Sequence, residues 1–323
     1  MNDRLIQVVT VTPNPAIDRT LTIRDFIAGG VNRVEQQRSN PGGKGVNVAS
    51  ALADYGHAVA ATGFLGSDNS APFEALFSVK GIDDHFIRIA GETRVGIKIS
   101  DPARQQTTDI NFPGRSPAPG DIEMLLRRVQ TLAARSGPWF VLAGSLPPGV
   151  EPTLYRDLAR SLKAQGCRVL LDTSGEALRH ALDGGPHIIK PNLHELEALV
   201  GARLSGNREA VEAARSLTAR GVELAVISMG AEGALLITGE RVILARPPEV
   251  KALSTVGAGD AMVAGIIAGQ LDELPLPQTA RLATAFSLDA LTRPESAPAS
   301  RARIDDLMNE VTVHEFGRGH SIE

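Results

Sequence analysis

Cysteine is almost absent from this chain of 323 residues, since Cys167 is its single thiol. One thiol excludes both a disulfide framework and a cysteine-rich metal site, and its setting in "AQGCRVLLD" favours packing as a small apolar side chain beside a strand. This cysteine usage indicates a reducing compartment and predicts a cytoplasmic protein. The seven histidines show no metal-ligand spacing, which disfavours a zinc site.

Long hydrophobic runs and clusters of basic residues are also lacking. No apolar stretch approaches the length that spans a bilayer, and the start "MNDRLIQVVTVTPNP" has neither the basic segment nor the long apolar core of a signal peptide. Lysines and arginines are scattered in a chain whose formal net charge is −4, so neither nucleic acid nor an acidic membrane is expected as a partner. These absences leave chemistry on small molecules as the expected role.

Hydrophobic residues make up 43% of the chain, which is enough for a large core. After residue 120 apolar strands alternate with helical segments, a pattern typical of a mostly parallel sheet covered on both faces. Ligands of such sheets bind at the carboxyl ends of the strands. The predicted strands are 139–144, 168–172, 187–191 and 223–228, and the predicted helices are 152–165, 175–182, 193–200 and 207–220.

The first third of the chain has a different pattern. After an opening strand at 5–11, the region 19–38 and the pieces "HFIRIA", "TRVGIKIS" and "TTDINF" within 85–113 alternate polar and apolar residues like half-buried strands. They predict a small separate sheet that acts as a lid or as a dimer surface. We expect one domain over 1–316, with a Pro-rich loop near 294–303 and a loose tail at 317–323.

The stretch "STVGAGDAMVAG" places an acid, Asp260, where a glycine-rich loop enters an apolar helix. Gly257 and Gly259 let a ligand approach the backbone closely. Asp260 has two interpretations, a first-turn acid that stabilises the helix N-terminus or a proton acceptor beside N–H groups that bind phosphate. This motif alone does not decide between them.

Two glycine- or proline-rich turns precede this motif. "NPGGKGVNVASALADYG" carries Lys44 and Asn47 at a helix start, and it matches neither GxxxxGK[ST] nor GxGxxG, which weakens a dinucleotide oxidoreductase. "VTPNPAIDRT" places Asp18 after the first strand, either as a turn former or as a carboxylate that accepts hydrogen bonds from sugar hydroxyls.

Two later segments also have alternative interpretations. In "IIKPNLHELEALV", Asn192 and Glu195 form either a capping pair or a site that holds water on Mg²⁺, and His194 is expected at the surface. "VISMGAEGALLI" is either a plain hairpin or a backbone surface for a nucleotide ring.

Six motifs occur in order along the chain: "NPAID", "GGKGVN", "GSLPPGV", "KPNxxEL", "SMGAEGA" and "STVGAGD". Together they resemble the ribokinase-like sugar kinases of the phosphofructokinase-B type, and "GFLGSDN" and "TDINFPG" are most similar to the bacterial 1-phosphofructokinases among them. The resemblance implies a three-layer α/β/α fold with a β-sheet lid. It also implies ATP and Mg²⁺, and a phosphorylated ketohexose as substrate. The small separate sheet indicates a homodimer through the lid.

Roles follow from the resemblance position by position. Asp260 would be the base, and we expect it to have the ordinary aspartate pKa of ~3.9. The backbone N–H groups of Gly257, Ala258 and Gly259 would form the anion hole. The positions that match sugar or substrate contacts are Asp18, Gly42, Gly43, Lys44, Asn47, Ser145 and Arg94, the last gripping the substrate phosphate. The positions that match nucleotide contacts are Lys190, Asn192, Ser228, Gly230, Gly233 and Thr255, with Glu195 holding Mg²⁺ through water.

The expected reaction is ATP-dependent phosphorylation of fructose 1-phosphate to fructose 1,6-bisphosphate. The alternatives are phosphorylation of fructose 6-phosphate or tagatose 6-phosphate, and a catalytically silent sugar-phosphate sensor. The chain departs from the family pattern at Val31, where relatives tend to carry a charged residue. Its "TRPESAP" segment is Pro-rich where relatives can line a monovalent-cation site, and no such site is assigned.

Overall fold

The computed structural model describes residues 5–136, 139–252, 257–293 and 300–317. Its strands are β1 Val8–Thr12, β2 Ala16–Thr22, β3 Gln36–Gly42, β4 Val59–Gly66, β5 Asp83–Asp84, β6 Ile87–Ile89, β7 Val95–Asp101, β8 Gln106–Asn111, β9 Trp139–Ala143, β10 Arg168–Asp172, β11 Ile188–Ile189, β12 Leu224–Ser228, β13 Ala234–Ile237, β14 Val242–Arg246 and β15 Thr312–Phe316. Its α-helices are α1 Lys44–Tyr55, α2 Ala71–Lys80, α3 Pro119–Ser136, α4 Leu154–Ala164, α5 Gly175–Ala181, α6 Leu193–Val200, α7 Asn207–Thr218, α8 Ala258–Leu271, α9 Leu276–Thr292 and α10 Arg301–Met308.

The main sheet runs in the order β15-β14-β13-β12-β11-β10-β9-β1-β4-β5, and β6 also pairs with β4. The strands from β12 through β5 are parallel to their neighbours. At the other edge, β13, β14 and β15 are added antiparallel. The expected mostly parallel sheet is therefore confirmed, and its carboxyl edge is the place to look for a site.

Helices cover both faces of this sheet. Successive residues of β1 point to opposite sides, so Val8 packs in a core with α1, α8 and α9, whereas Val9 packs in a second core with α3, α4 and α7. Helix α8 is apolar on all sides because α1 and α9 pack against it and its side chains share a core with strands of the main sheet. The result is the expected three-layer α/β/α arrangement.

A second sheet of four strands has the order β3-β2-β7-β8. Strands β2 and β7 are parallel, and the other two pairs are antiparallel. We call this sheet the lid. Its outer strand β8 is exposed along its whole length, which agrees with its largely polar sequence.

One of the pieces expected in the lid belongs elsewhere. "HFIRIA" contributes β6, which pairs with β4 of the main sheet, so its assignment to the small sheet is wrong. Ile87 and Ile89 are buried in the core beneath α3, and burial of both side chains on that core outweighs the polar residue between them.

Several boundaries also differ from expectation. The strand predicted at 187–191 is only Ile188–Ile189, because Pro191 has no N–H to continue the ladder. The segment 23–35 connects two lid strands without being one. Of the loop predicted near 294–303, residues 294–299 lie outside the described residues, whereas 301–303 begin α10, so the predicted end of the loop is wrong. Residues 318–323 of the predicted tail also lie outside the described residues. Within the described ranges, no helix is both long enough and apolar enough to cross a bilayer.

Candidate active site

The carboxyl edge of the main sheet brings several predicted residues together. Lys44 begins α1, Lys190 directly follows β11, and Asp260 lies in the first turn of α8. The structure adds Asp172, the last residue of β10, which accepts a hydrogen bond from Lys44 Nζ at 2.9 Å. Asp172 and Lys190 meet because β10 and β11 are adjacent parallel strands, and Lys44 and Asp260 meet because α1 and α8 pack against each other.

The N-terminus of α8 is open to a ligand. Gly257 is its N-cap with φ of 78°, a left-handed conformation that glycine adopts without strain. No side chain in the described part of the chain caps this helix, and the first N–H groups of a helix have no partner within it. The N–H groups of Gly257, Ala258 and Gly259 therefore offer the geometry that an anion hole needs.

Asp260 is a buried carboxylate with 8% exposure. Asn47 Nδ2 donates to its Oδ2 at 2.8 Å. Burial and the nearby charge of Asp172 raise the pKa of Asp260 from 3.8 to about 6, against the opposing effects of Lys44, Asn47 and Lys190. The sequence-based expectation of ordinary acidity is wrong for this reason, and a pKa near the operating pH suits a general base better.

Lys44 and Lys190 both approach the same oxygen of Asp172. The distances to Oδ1 are 2.9 Å from Lys44 Nζ and 3.4 Å from Lys190 Nζ. Burial alone would lower the pKa of Lys44, but Asp172 and Asp260 raise it above its ordinary value. Burial would raise the pKa of Asp172, but Lys190 and Lys44 lower it. Lys44 thus stays charged, and the Lys190 ammonium lies beside the first turn of α8.

Glycines shape the sugar side of the site. A Cβ on Gly42 would lie 2.4 Å from Asp18 Oδ2, and one on Gly43, whose φ is 112°, would lie 2.9 Å from the Cα of Pro15. The Asp18 carboxylate also lies 3.2 Å from Lys98 Nζ, a contact that sequence reasoning missed. Only glycine at position 42 leaves room for the Asp18 carboxylate.

A cavity of about 330 Å³ lies between the lid and helices α1 and α8. Asp18 and Lys98 line it from the lid, and Asn47, Gly257 and Ala261 line it from the helices. The structure therefore brings the predicted sugar contacts Asp18 and Asn47 into one space with the predicted anion hole. A monosaccharide-sized ligand fits such a volume.

Arg94 and Ser145 lie together in a separate cavity of about 570 Å³. The Arg94 guanidinium donates to the carbonyls of Phe112, Pro15 and Asn14 at 2.9, 3.3 and 3.1 Å. Asn14 Nδ2 in turn donates to Ser145 Oγ at 3.2 Å. Arg94 is thus fixed by backbone contacts, and it does not line the cavity that Asp18 and Asn47 share.

Asn192 and Glu195 form a complete capping box at the start of α6. Glu195 N donates to Asn192 Oδ1, and Asn192 N donates to Glu195 Oε2, both at 2.8 Å. The capping interpretation is therefore confirmed. The described residues contain no group of three or more His, Cys, Asp or Glu side chains placed to hold a metal ion.

The remaining predicted nucleotide contacts follow the next strands. Ser228 forms an isolated parallel bridge with Asn192, and Gly230 begins the turn between β12 and β13. A Cβ on Gly233 would lie 2.0 Å from the carbonyl oxygen of Ala245, so this position requires glycine for the hairpin itself. Thr255 lies outside the described residues, and its role stays a prediction.

Comparison with known proteins places these features in a family. The chain matches the pfkB family carbohydrate kinases over residues 9–302, and it belongs to that family. It is a carbohydrate kinase, and this membership implies ATP as the phosphate donor.

Individual relatives agree with this assignment. The chain is 49% identical to the 1-phosphofructokinase of Rhodobacter capsulatus over 310 residues, which cover 95% of this chain and 98% of the relative. It is similar to the solved structure of a possible 1-phosphofructokinase from Thermotoga maritima, with a TM-score of 0.87, 30% identity, and coverage of 96% and 99%. It is also similar to the tetrameric inhibited form of phosphofructokinase-2 from Escherichia coli, with a TM-score of 0.85, 28% identity, and coverage of 94% and 99%.

Proposed function

We propose that this carbohydrate kinase transfers the γ-phosphoryl group of ATP to the 6-hydroxyl of fructose 1-phosphate and forms fructose 1,6-bisphosphate. The observation that carries the chemistry is the buried Asp260 at the uncapped N-terminus of α8, beside a sugar-sized cavity. The 49% identity to a 1-phosphofructokinase along nearly the whole chain supports this choice of sugar.

Each group has a distinct part in the proposed reaction. Asp260 takes the proton of the acceptor hydroxyl as its oxygen bonds to phosphorus and the bond from phosphorus to ADP breaks. The N–H groups of Gly257, Ala258 and Gly259 stabilise the negative charge on the transferring group without reorganising. Asp18 and Asn47 orient the sugar, and closure of the lid would exclude water as a competing acceptor.

The residues present suit ATP and Mg²⁺. Lys190 and the open amides of α8 supply cationic and hydrogen-bonding partners for phosphate oxygens. Glu195 keeps one oxygen outside its capping contact, and its charge contributes to raising the pKa of Lys44, so the two side chains lie close enough to interact electrostatically. Bound Mg²⁺ would neutralise phosphate charge, and we propose that Glu195 holds it through water.

The choice of sugar has a direct test. We expect kcat/KM to be higher for fructose 1-phosphate than for fructose 6-phosphate or tagatose 6-phosphate, with ADP release as the measurement. Equal or better use of either 6-phosphate would transfer the proposal to that sugar. A purified wild-type protein that is inactive on all three but binds one of them would instead support the sensor alternative.

We also propose a homodimer through the lid. Apolar side chains on this part of the chain are exposed, among them Val31 at 97% and Phe112 at 50%. Sedimentation should therefore give a dimer for the wild type, and Val31→Lys should weaken it, whereas a monomeric wild type would exclude this arrangement.

The proposed reactants, ATP and a phosphorylated sugar, favour a cytoplasmic location.

A further inference from the structure

Asp172 has no exposed surface, although it carries a charge at the carboxyl edge of the main sheet. A buried carboxylate is costly unless cations or hydrogen-bond donors compensate for lost hydration. The groups around Asp172 must therefore compensate for its buried charge.

The contacts of Asp172 are concentrated on one oxygen. The ammonium groups of Lys44 and Lys190 both contact Oδ1, whereas Oδ2 is buried and has no hydrogen-bond partner among the described residues. The two ammonium groups therefore share Asp172 Oδ1 as an anionic partner, at 2.9 Å from Lys44 Nζ and 3.4 Å from Lys190 Nζ.

Those lysines border the reacting groups. Lys190 Nζ lies 3.6 Å from the position that a Cβ on Gly259 would occupy, so it adjoins the anion hole. The charges that act on Asp260 are those of Asp172 from β10, Lys44 from α1 and Lys190 after β11, and Asn47 adds a hydrogen bond. Two positive and two negative side chains thus form one cluster, with Asp172 in contact with both cations.

We propose that Asp172 is a positioning residue for phosphoryl transfer: its carboxylate holds the Lys190 ammonium at the anion hole and the Lys44 ammonium in the same cluster near Asp260. The proposal rests on transfer from ATP, as proposed above, and is independent of which sugar accepts the phosphate. Without this carboxylate the two ammonium groups would repel each other and would turn to Asp260 as their remaining anion. Lys190 would then leave the anion hole, and Asp260 would become a weaker base.

The test compares Asp172→Asn with the wild type. We expect the Kd of an ATP analogue with a non-transferable γ-phosphate, measured by calorimetry with Mg²⁺, to rise roughly tenfold. We also expect the pKa of Asp260 in the free protein, followed by ¹³C NMR of its carboxyl carbon, to fall by about one unit. The matched control is Asp183→Asn, which removes an exposed carboxylate that accepts from Arg220 at 2.8 Å and should change neither quantity.

Two further variants separate positioning from a merely structural role. If Asp172 acts through Lys190, Lys190→Met and Asp172→Asn/Lys190→Met will bind the analogue equally weakly, whereas additive losses would overturn the proposal. If Asp172→Asn does not fold, the double variant Asp172→Asn/Lys44→Met replaces it in the binding test. That variant keeps Lys190 and Asp260, so the remaining charges of the cluster are balanced. Wild-type affinity in that double variant, or in folded Asp172→Asn, would also overturn it.

Neither readout requires a sugar. Inactivity on fructose 1-phosphate would therefore overturn the proposed substrate and leave the proposal for Asp172 standing. Unchanged analogue binding and an unchanged pKa of Asp260 in Asp172→Asn would overturn the proposal for Asp172 and leave the proposed substrate standing.

Discussion

The two sides of the active-site cavity are built differently. On the side of the main sheet, which we call the floor, Asp172, Lys190 and Asp260 are buried, and each contacts another side chain of the floor or of α1. On the lid, the charged pair Asp18 and Lys98 is partly exposed, and the outer strand is solvated along its length. The same ligand would thus meet buried charges on one side and partly exposed ones on the other.

This difference implies a division of labour. Charges in a dry, packed environment act strongly and need no reorganisation during the reaction, which suits the transfer step. Solvated side chains on a small sheet exchange contacts with water for contacts with substrate, which suits binding and release. Changes in the floor should therefore lower kcat or weaken nucleotide binding, whereas changes in the lid should raise KM for the sugar phosphate.

The largest effect is expected for Asp260→Asn in the floor. The amide keeps the shape and an oxygen for Asn47 but cannot take the proton, so kcat should fall by about 10²–10⁴-fold with little change in either KM. Steady-state ADP release measures this, with the exposed Asp306→Asn as control. A variant that keeps more than a tenth of wild-type kcat would remove Asp260 from the role of base.

The same substitution should stabilise the protein. Because the pKa of Asp260 is raised to about 6 on folding, the folded state binds the proton more tightly, and stability falls as pH rises from about 4 to 6. At pH 7 the cost of the buried charge is fully present, so Asp260→Asn should add up to about 3 kcal/mol to the free energy of unfolding. Urea denaturation at pH 7 and pH 5 should show the gain shrinking at the lower pH; a loss of stability at pH 7 would contradict this account.

In the lid, Gly42→Ala tests how tightly Asp18 is held. The new methyl group would meet the Asp18 carboxylate at 2.4 Å and displace it, so kcat/KM for the sugar phosphate should fall by about 10²-fold. KM for ATP should stay unchanged. The control is Gly120→Ala, since a Cβ at Gly120 in the first turn of α3 meets nothing within 4 Å. Equal sugar kinetics for both variants would show that Asp18 is not a sugar contact.

Lys98→Met should have a smaller effect in the same region. It removes the cation 3.2 Å from Asp18 and keeps the length of the side chain. Loss of one charge-assisted contact should raise KM for the sugar phosphate roughly tenfold, with kcat nearly constant. Lys163→Met, on the exposed face of α4, serves as control. A fall in kcat without a change in KM would contradict the division between lid and floor.

Local sequence patterns were sufficient for much of this architecture. The strands Trp139–Ala143 and Arg168–Asp172 follow from apolar runs bounded by turn residues, and α6 follows from its capping pair. β6 was misplaced because alternation shows that a strand has one buried face but does not show which sheet buries it. Pairing is a long-range property, and a three-residue strand carries no signal for it.

The site was predicted unevenly for the same kind of reason. Asp260 and Asn47 lie in recognisable motifs, but their hydrogen bond joins residues 213 positions apart. Asp172 ends an apolar strand in "RVLLD", and its position at the carboxyl end of a predicted parallel strand was the one available signal. The raised pKa of Asp260 could not be foreseen because it depends on burial by α1 and α8 and on that unrecognised neighbour.

The smallest effect is expected at the edge of the floor, where Glu195 has both a capping contact and a proposed role toward Mg²⁺. Glutamine also completes a capping box, so Glu195→Gln should lower the free energy of unfolding by only about 0.5 kcal/mol, through loss of charge at the N-terminus of α6. Asn192→Ala removes the cap and should cost about 1 kcal/mol. If Glu195 also holds Mg²⁺, Glu195→Gln will need several times more Mg²⁺ for half-maximal activity at fixed ATP. An unchanged Mg²⁺ requirement would leave Glu195 with the capping role alone, and the floor would then bind the metal through other groups.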